Sequence, residues 1–238
     1  MVPSVARWRL LRVELETPGL NVALDQAILL SVEEGKSPAT LRLWVNPPSV
    51  VIGRHQNAKE EVDFDACKTY GVQVVRRFTG GGAVYHDKGN LNWSIIARKE
   101  DLGVKSAISG FELAGKAIIT GLNALGFLAE FVPPNSIHLG RGKISGMAAY
   151  MKRKSLLIHG TLLVHTDLEI LRKVLKHLKV EVTSLKEALG AIPDKDSLIE
   201  TLVWGFSKQL NANFVSGGVY PWEMEEAIKL YPQTIAAT

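Results

Sequence analysis

The segment VVRRFTGGGAVYHD, residues 74–87, places two arginines and three consecutive glycines between two apolar runs. Three glycines leave no side chain between the backbone N–H groups and a ligand. Successive N–H groups in such a turn form a concavity that suits an anion, and Arg76 and Arg77 add positive charge. A flexible hairpin loop is the alternative for three glycines alone. The arginines before them and the strand pattern after them favour a cradle for phosphate or carboxylate.

The cradle lies between apolar segments that are typical of β-strands. Val74 and Val75 lead into it, and the strand-like residues 91–97 follow after a turn at residues 87–90. A hairpin is the usual arrangement of two strands that are joined by a short, glycine-containing connection. We therefore predict that the cradle belongs to a β-hairpin.

A polar cluster, RHQN at residues 54–57, directly follows a predicted strand at residues 49–53. Groups that contact ligands often lie in loops at strand ends, and a solvated loop fits this composition equally well. Arg54 is the candidate ligand contact in this cluster.

The second informative segment surrounds Lys143, which lies between a Gly-Arg-Gly turn and the sequence Ile-Ser-Gly at residues 144–146. Small residues follow it, so the lysine can approach a ligand with little side-chain bulk nearby. It is not a Walker phosphate loop, because Ile137 stands where that pattern needs glycine. Taken alone, Lys143 also fits a solvated turn, and His159 in the next apolar run also fits a core residue.

Composition limits the class of protein. The chain has 238 residues, of which 46% are hydrophobic and 22% charged, as in ordinary globular domains. The net charge of +4 favours an acidic partner or a nucleotide but is too small to indicate nucleic acid. Cys67 is the single cysteine, which excludes an internal disulfide and a cysteine-based zinc cluster. No apolar run has the length of a signal peptide or membrane span, so we expect a cytoplasmic protein with no membrane contact.

Strands dominate the first two thirds of the sequence and helices the last third. Asn21 is a predicted N-cap for a helix at residues 22–30. A further short helix is predicted at residues 60–70 and a longer one at residues 106–125. The closing helices are predicted at residues 167–178, 183–189, 197–210 and 221–230. This order predicts an α+β fold, a sheet covered by helices, rather than alternating βαβ units.

Four motifs in this order resemble the lipoate–protein ligase family, which is related to the biotin–protein ligases. They are NVALD at residues 21–25, GRHQN at 53–57, RRFTGGGAVYHD at 76–87, and GKISG at 142–146 followed by HGT at 159–161. The resemblance implies a central mixed, largely antiparallel β-sheet covered by helices. It also implies that residues 1–238 form a single catalytic domain.

The resemblance further implies a two-step reaction. Lipoate and ATP would give lipoyl-AMP and pyrophosphate with magnesium, and the lipoyl group would then pass to a lysine of an acceptor. The expected acceptor is a lipoyl domain of a 2-oxoacid dehydrogenase complex or the H protein of glycine cleavage. Basic residues, including Lys152, Arg153 and Lys154, would favour an encounter with such an acidic partner.

The residues that match the family's motifs take their expected roles from it. Lys143 resembles the active-site lysine and would bridge the carboxylate and phosphate oxygens, where negative charge accumulates. Arg77, Thr79 and the glycine amides would hold the activated group, and Asp25 and His159 would line the lipoyl end. The lipoyl- and adenylate-binding residues expected from the motifs are Asp25, Arg54, Arg77, Thr79, Gly80, Gly81, Gly82, His86, Asn135, Gly146, Ala148, His159, Gly160 and Thr161. The motifs assign no metal ligand.

Two departures from the family pattern bear on function. Family members commonly carry Asn-Asp where this chain has Asn135-Ser136, so an acidic group that could help to hold magnesium is missing. The chain also ends at Thr238 without the C-terminal accessory domain of longer ligases. We therefore expect a separate accessory protein that completes the enzyme.

Three other functions stay open. An octanoyl- or lipoyltransferase on the same scaffold would need a thiolate beside Lys143, and Cys67 lies in a predicted helix before the cradle. A non-catalytic module that binds lipoyl domains or nucleotides would not form AMP from ATP. A biotin ligase is disfavoured because the sequence RRFTGGG resembles the lipoate branch.

Overall fold

The computed structural model of the protein describes residues 6–178, 180–190 and 192–236. Residues 1–5 of the amino-terminal segment and the final residues, Ala237 and Thr238, lie outside the described residues. The fold is a mixed α+β arrangement, as the sequence predicts.

The larger sheet has the strand order β11-β1-β2-β6-β10-β9-β8-β7. Every neighbouring pair is antiparallel except β1–β11 and β1–β2, which are parallel. Its strands are β1 (Ala6–Leu11), β2 (Thr40–Trp44), β6 (Asn90–Arg98), β7 (Ala129–Val132), β8 (Ser136–Leu139), β9 (Gly142–Met151), β10 (Ser155–Leu163) and β11 (Ala212–Gly217). The largely antiparallel sheet that the resemblance implies is therefore confirmed.

The glycine cradle is not part of a hairpin, and this prediction is wrong. The strands that flank the cradle, β4 (Gln73–Arg76) and β5 (Val84–His86), do not pair with each other. Both pair with β3 (Ser49–Ile52), β4 in parallel and β5 antiparallel, in a separate three-stranded sheet. The glycines therefore cross over the end of β3, where they meet Gly53. The central strand comes from an earlier part of the chain, so local sequence does not reveal this pairing.

Most helices begin and end close to the predicted positions, but the short helix at residues 99–102 was not predicted and several boundaries differ. Residues 60–70 form two short helices because Val62 is extended and bridges to Leu175. The predicted helix over residues 167–178 ends at Val174. The helices are α1 (Pro18–Glu33), α2 (Ala58–Glu61), α3 (Phe64–Thr69), α4 (Lys99–Leu102), α5 (Ala107–Ala124), α6 (Leu168–Val174), α7 (Leu185–Leu189), α8 (Lys195–Leu210) and α9 (Pro221–Leu230), followed by a 3-10 turn (Tyr231–Thr234).

Asn21 does not cap α1, which begins earlier than predicted, after the N-cap residue Thr17. Pro18 occupies the first turn, where its fixed φ suits a helix and its missing N–H costs nothing. Asn21 is buried within the helix, and its amide group bonds the backbone of Leu15 and the side chain of Asn46. It therefore joins the helix to the loop before β3.

Helices cover both faces of the larger sheet. One apolar cluster joins α5 and α8 to it, and another joins α1 and α9 to β6 and β10. Within the described residues no helix is long and apolar enough to cross a membrane. The site lies beside α1, where the small sheet meets β9 and β10.

Candidate active site

A cavity of about 150 Å³ lies between the small sheet, the N-terminal half of α1 and strands β9 and β10. It brings together residues from three of the four sequence motifs, and no residue of the motif at 53–57 lines it. The predicted site residues that line it are Asp25, Arg77, Gly81, Gly82, His86, Asn135, Lys143, Gly146, Ala148, His159, Gly160 and Thr161. Arg54, Thr79 and Gly80 are not among its lining residues.

Lys143 supplies the cation in this cavity. Its backbone is fixed on both sides, since its N–H donates to the Glu181 carbonyl and its own carbonyl accepts from Thr183. The side chain is half-buried, and burial lowers its pKa. Its Nζ makes no ion pair or hydrogen bond with a side chain in the described part of the chain. The positive charge therefore lies at a cavity wall without a protein anion against it.

Gly146 provides the space for this lysine. A Cβ atom at residue 146 would lie 2.9 Å from both Cε and Nζ of Lys143, closer than such atoms approach in proteins. The small residue is therefore needed at this position to seat the amine.

Replacing Gly146 by alanine is expected to displace the Lys143 amine and to lower the reaction rate about 10- to 100-fold, because small misplacements of a reacting group are costly. Acceptor modification by purified protein under single-turnover conditions measures this effect. Gly126→Ala is not a suitable control, because Gly126 has a φ of +84° that alanine strains. Gly218→Ala is the better comparison, because residue 218 is exposed, does not line the cavity and has nothing within 4 Å of an added methyl group. A Gly146→Ala protein that modifies the acceptor at the wild-type rate would contradict this role.

Arg77 shapes the glycine loop from within. Its guanidinium donates to the carbonyl oxygens of Val51, Gly80 and Gly82 at 2.7–2.9 Å. Burial lowers its pKa to about 10. We expected Arg77 to hold the activated group directly, and the structure instead points its N–H groups at protein carbonyls. It fixes the loop conformation, and residues 80–82 of the loop are exposed to solvent.

The backbones of Gly53 and Gly81 lie against each other, and this contact explains why both positions need glycine. Gly81 has a φ of +91°, in the left-handed region that favours glycine. A Cβ at Gly53 would overlap the Gly81 carbonyl oxygen. The backbones of the two motifs therefore touch at this point, which sequence order alone did not reveal.

His159 links the glycine loop to a buried ion pair. Its Nε2 lies 2.8 Å from the Thr79 hydroxyl, and its Nδ1 lies 3.4 Å from Asp25 Oδ2. The carboxylate only accepts, so Nδ1 carries the hydrogen, and in the neutral ring the Thr79 hydroxyl donates to Nε2. Arg77 Nε in turn donates to Thr79 Oγ1 at 3.0 Å. Thr79 is fully buried and acts on the loop from behind the cavity wall.

Arg42 is the partner that sequence reasoning missed. It is fully buried in β2, and its Nη1 lies 2.8 Å from Asp25 Oδ1. Ser94 also donates to Asp25, at 2.6 Å. Burial alone would raise the pKa of Asp25, but Arg42, His159 and Ser94 lower it. A charged residue within an apolar strand is the signal that could have marked Arg42.

His86 forms a second polar network. Burial, with the nearby charge of Arg77, lowers its pKa to about 3, so the ring is neutral. Thr161 donates its hydroxyl hydrogen to Asn92 at 2.7 Å, so His86 Nε2 donates to Thr161 at 2.8 Å. Its Nδ1 then accepts from Asn46, and the ring tautomer is fixed. His86 therefore braces the cavity wall as a neutral ring.

Trp44 and Trp93, which were not predicted as site residues, also line the cavity. Their indole N–H groups are buried, and neither has a hydrogen-bond partner within the described ranges. Gly160 allows Trp93 to lie against the strand, because a Cβ there would meet the indole ring at 2.6 Å. The aromatic and aliphatic side chains of the lining suit an apolar ligand group.

A protein-held metal site is not supported by the residues present. Among residues 6–178, 180–190 and 192–236, no group of three or more His, Cys, Asp or Glu side chains could hold an ion. Ser136 pairs with Gly146 in the sheet. Asn135 donates its amide N–H to the Met147 carbonyl and so ties β8 to β9.

Comparisons with known proteins agree with this geometry. Residues 17–207 match the family model described as lipoyl protein ligase A/B catalytic domain. The lipoate-protein ligase A subunit 1 of Thermoplasma acidophilum is 36% identical over 223 residues, which cover 84% of each chain. The octanoyltransferase LipM of Kyrpidia tusciae is 28% identical over 265 residues, which cover 96% of each. The chain spans about half the length of several further curated ligases that it matches.

Two solved structures share the fold over nearly their whole length. One, from T. acidophilum, is described as a bipartite lipoate protein ligase and its E2 lipoyl domain, with a TM-score of 0.86 and 31% identity over 96% of this chain and 93% of that chain. The other is a lipoate-protein ligase A bound with ATP, with a TM-score of 0.86 and 32% identity over 98% and 96%.

Proposed function

Because the chain belongs to the lipoyl protein ligase A/B catalytic-domain family, we propose that it is a lipoate–protein ligase, which activates lipoate with ATP and transfers the lipoyl group to an acceptor lysine. The observation that carries this proposal is Lys143, a half-buried cation without an anionic side-chain partner among the described residues, at the wall of a cavity that aromatic and aliphatic side chains also line. An adenylate-forming reaction needs positive charge of this kind because it brings two anions together.

The cavity size indicates which part of the substrate it holds. At about 150 Å³ it is smaller than the roughly 300–1,000 Å³ of sites that enclose a drug-sized ligand. It therefore takes the dithiolane and its aliphatic tail, against Trp44 and Trp93. The nucleotide part lies at the mouth, where the amides of the exposed glycine loop can donate to phosphate oxygens.

In the activation step, a carboxylate oxygen of lipoate attacks the α-phosphorus of ATP and pyrophosphate leaves. Lys143 stabilises the negative charge that accumulates on the carboxylate and phosphate oxygens. In the transfer step, the acceptor lysine's neutral amine attacks the acyl carbon, the acyl–phosphate C–O bond breaks, and AMP leaves. The nitrogen loses a proton to solvent as the amide forms.

The other residues have supporting roles in this proposal. Arg77, Thr79 and His159 hold the glycine loop in place, and Asp25 holds His159. Magnesium would be held by the nucleotide phosphates, since the described residues include no suitable cluster of ligands.

The proposed acceptor is a lipoyl domain of a 2-oxoacid dehydrogenase complex, with the H protein of glycine cleavage as the second candidate. A bipartite ligase and its E2 lipoyl domain are named together for the similar T. acidophilum structure. On the same ground we propose that a separate accessory subunit assists the activation step.

Mass spectrometry of a purified lipoyl domain tests the function. One reaction contains this protein, lipoate, ATP and magnesium, and a second contains synthetic lipoyl-AMP instead. A lipoyl-sized gain in both reactions is expected if this chain is sufficient, and a gain from lipoyl-AMP alone is expected if an accessory subunit is needed. No gain in either reaction, with or without the accessory subunit, would contradict the proposal.

An octanoyltransferase is the second candidate, because the octanoyltransferase LipM relative matches almost the full length of the chain. Transfer through a thioester needs a reactive thiolate near the acyl group. Cys67 is buried in α3 and does not line the cavity. Burial, with a contribution from Asp63, raises its pKa to about 11, so the thiol is protonated at neutral pH. These properties favour the ligase.

Cys67→Ala is therefore expected to retain transfer from lipoyl-AMP within about twofold of wild type, since the change removes a packing atom and no reacting group. The measurement is the initial rate of acceptor modification, with octanoyl thioester as an alternative donor. Transfer from the thioester that Cys67→Ala abolishes would identify the transferase instead.

A further inference from the structure

A second cavity, of about 250 Å³, lies directly beside the first. Helix α1 lines both, with Asp25 facing the first cavity and Gln26 and Leu29 the second. Strand β9 also joins them, since Ala148 lines the first and Tyr150 the second. Ala148 and Tyr150 are two residues apart, about 7 Å along a strand, and Arg77 lines both cavities, so the two cavities are close neighbours.

The second cavity is strongly cationic. Arg54, Arg76, Arg77 and Lys152 line it, and none of its lining residues is acidic. Clefts that are lined by one sign of charge concentrate their field and attract the opposite charge. The cavity therefore suits an anionic group.

Two of these cations are available to a partner. Arg77 is occupied by the glycine loop, and Arg76 Nη1 donates to the carbonyls of Gly53, Arg54 and Gln56. The exposed Arg54 side chain and the half-buried Lys152 side chain make no hydrogen bond or ion pair within the part of the chain that the structure describes. Arg54 and Lys152 are thus the cations of the rim without a direct partner, and Glu33 interacts with Lys152 only at longer range.

Arg54 is also fixed to the loop at the mouth of the first cavity. Its backbone N–H donates to the Thr79 carbonyl at 2.8 Å. Beyond Lys152, the exposed residues Arg153 and Lys154 continue the positive surface into the turn between β9 and β10. The positive charge therefore extends outside the cavity. A protein partner can contact all of this surface, whereas a small anion would contact only the cavity.

We propose that Arg54 and Lys152 bind acidic side chains of the acceptor protein and place its lysine at the mouth of the first cavity. This inference rests on the proposed function and assigns the docking surface for its protein substrate. It also gives Arg54 a role that the first cavity does not provide.

The test is the affinity of the lipoyl domain, without its lipoyl group, for the full chain, measured by titration calorimetry at low salt. The double variant Arg54→Gln/Lys152→Gln is expected to weaken binding about tenfold and to reduce its salt dependence. Lys116→Gln makes the same charge change on α5, across the larger sheet, and is expected to bind as wild type. Because binding is measured without catalysis, absence of ligase activity does not affect the result.

An unchanged dissociation constant in the double variant, or no binding by wild type at low salt, would overturn the proposal. Loss of lipoyl-AMP affinity with unchanged acceptor affinity would also overturn it, since the cavity would then bind a small anion. A binding loss with normal thermal unfolding would support it.

Discussion

Lys143→Ala is expected to lower the rate of lipoyl-AMP formation and transfer by about 10²–10³-fold, the loss seen when a preorganised electrostatic contact is removed from an active site. The Lys143 side chain is half-buried at the cavity wall, and no carboxylate of the described residues forms an ion pair with it. Solvent that replaces it supplies a weaker and less ordered interaction with the reacting oxygens.

The measurement is single-turnover acceptor modification at saturating substrate, which separates chemistry from binding. Lys116→Ala is the matched control, because it removes an exposed lysine from α5 and leaves the cavity unchanged. Both proteins should unfold at the wild-type temperature. A Lys143→Ala protein that retains more than about a tenth of the wild-type rate would show that the charge does not act as described.

Arg42→Met is expected to reduce the free energy of unfolding by about 3–5 kcal/mol, because it leaves the Asp25 carboxylate buried without its cation. Arg42 and Asp25 are both almost completely inaccessible to solvent. The guanidinium also donates to the Asn21 backbone and side chain, so the loss extends to the start of α1.

A double-mutant cycle, measured by denaturant unfolding, separates the interaction energy of Arg42 and Asp25 from the contributions of their other contacts. Arg42→Met/Asp25→Asn should be more stable than Arg42→Met alone, since the unpaired charge is removed. Arg12→Met is the control, because its ion pair with Asp196 is exposed and is expected to contribute less than about 1 kcal/mol. If the stability losses of Arg42→Met and Asp25→Asn simply add in the double variant, Arg42 and Asp25 are not coupled, and the prediction is contradicted.

The same pair predicts a pH dependence. The pKa of Asp25 is lowered in the folded state, so its contribution to stability is present above the unfolded pKa of about 3.9. It is lost as the pH falls through the folded value. The Asp25→Asn protein should therefore lose less stability than wild type on acidification.

The cradle and Lys143 could be predicted because their chemistry is local. Three glycines after two arginines, and a lysine among small residues, mark these positions as candidate site residues within a few positions of sequence, and Gly81, Gly82 and Lys143 line one cavity. The fold class was also predictable, since the order of strands and helices indicates α+β.

The remainder depends on contacts between distant segments. The pairing of β4 and β5 with β3 cannot be seen in the glycine segment itself, so the hairpin prediction was wrong. Arg42 lies 17 residues from Asp25 and is visible only as a charge in an apolar strand. Arg54 matches a family motif, yet its side chain faces the second cavity, because the direction of a loop side chain is set by tertiary packing.

The most direct test of the central claim is a crystal structure of this protein with a non-reactive lipoyl-adenylate analogue, such as the acyl sulfamate. The account predicts the dithiolane against Trp44 and Trp93, and the acyl sulfamate oxygens within hydrogen-bond distance of Lys143 Nζ. An analogue whose lipoyl end lies outside the first cavity, or whose acyl group does not contact Lys143, would contradict it.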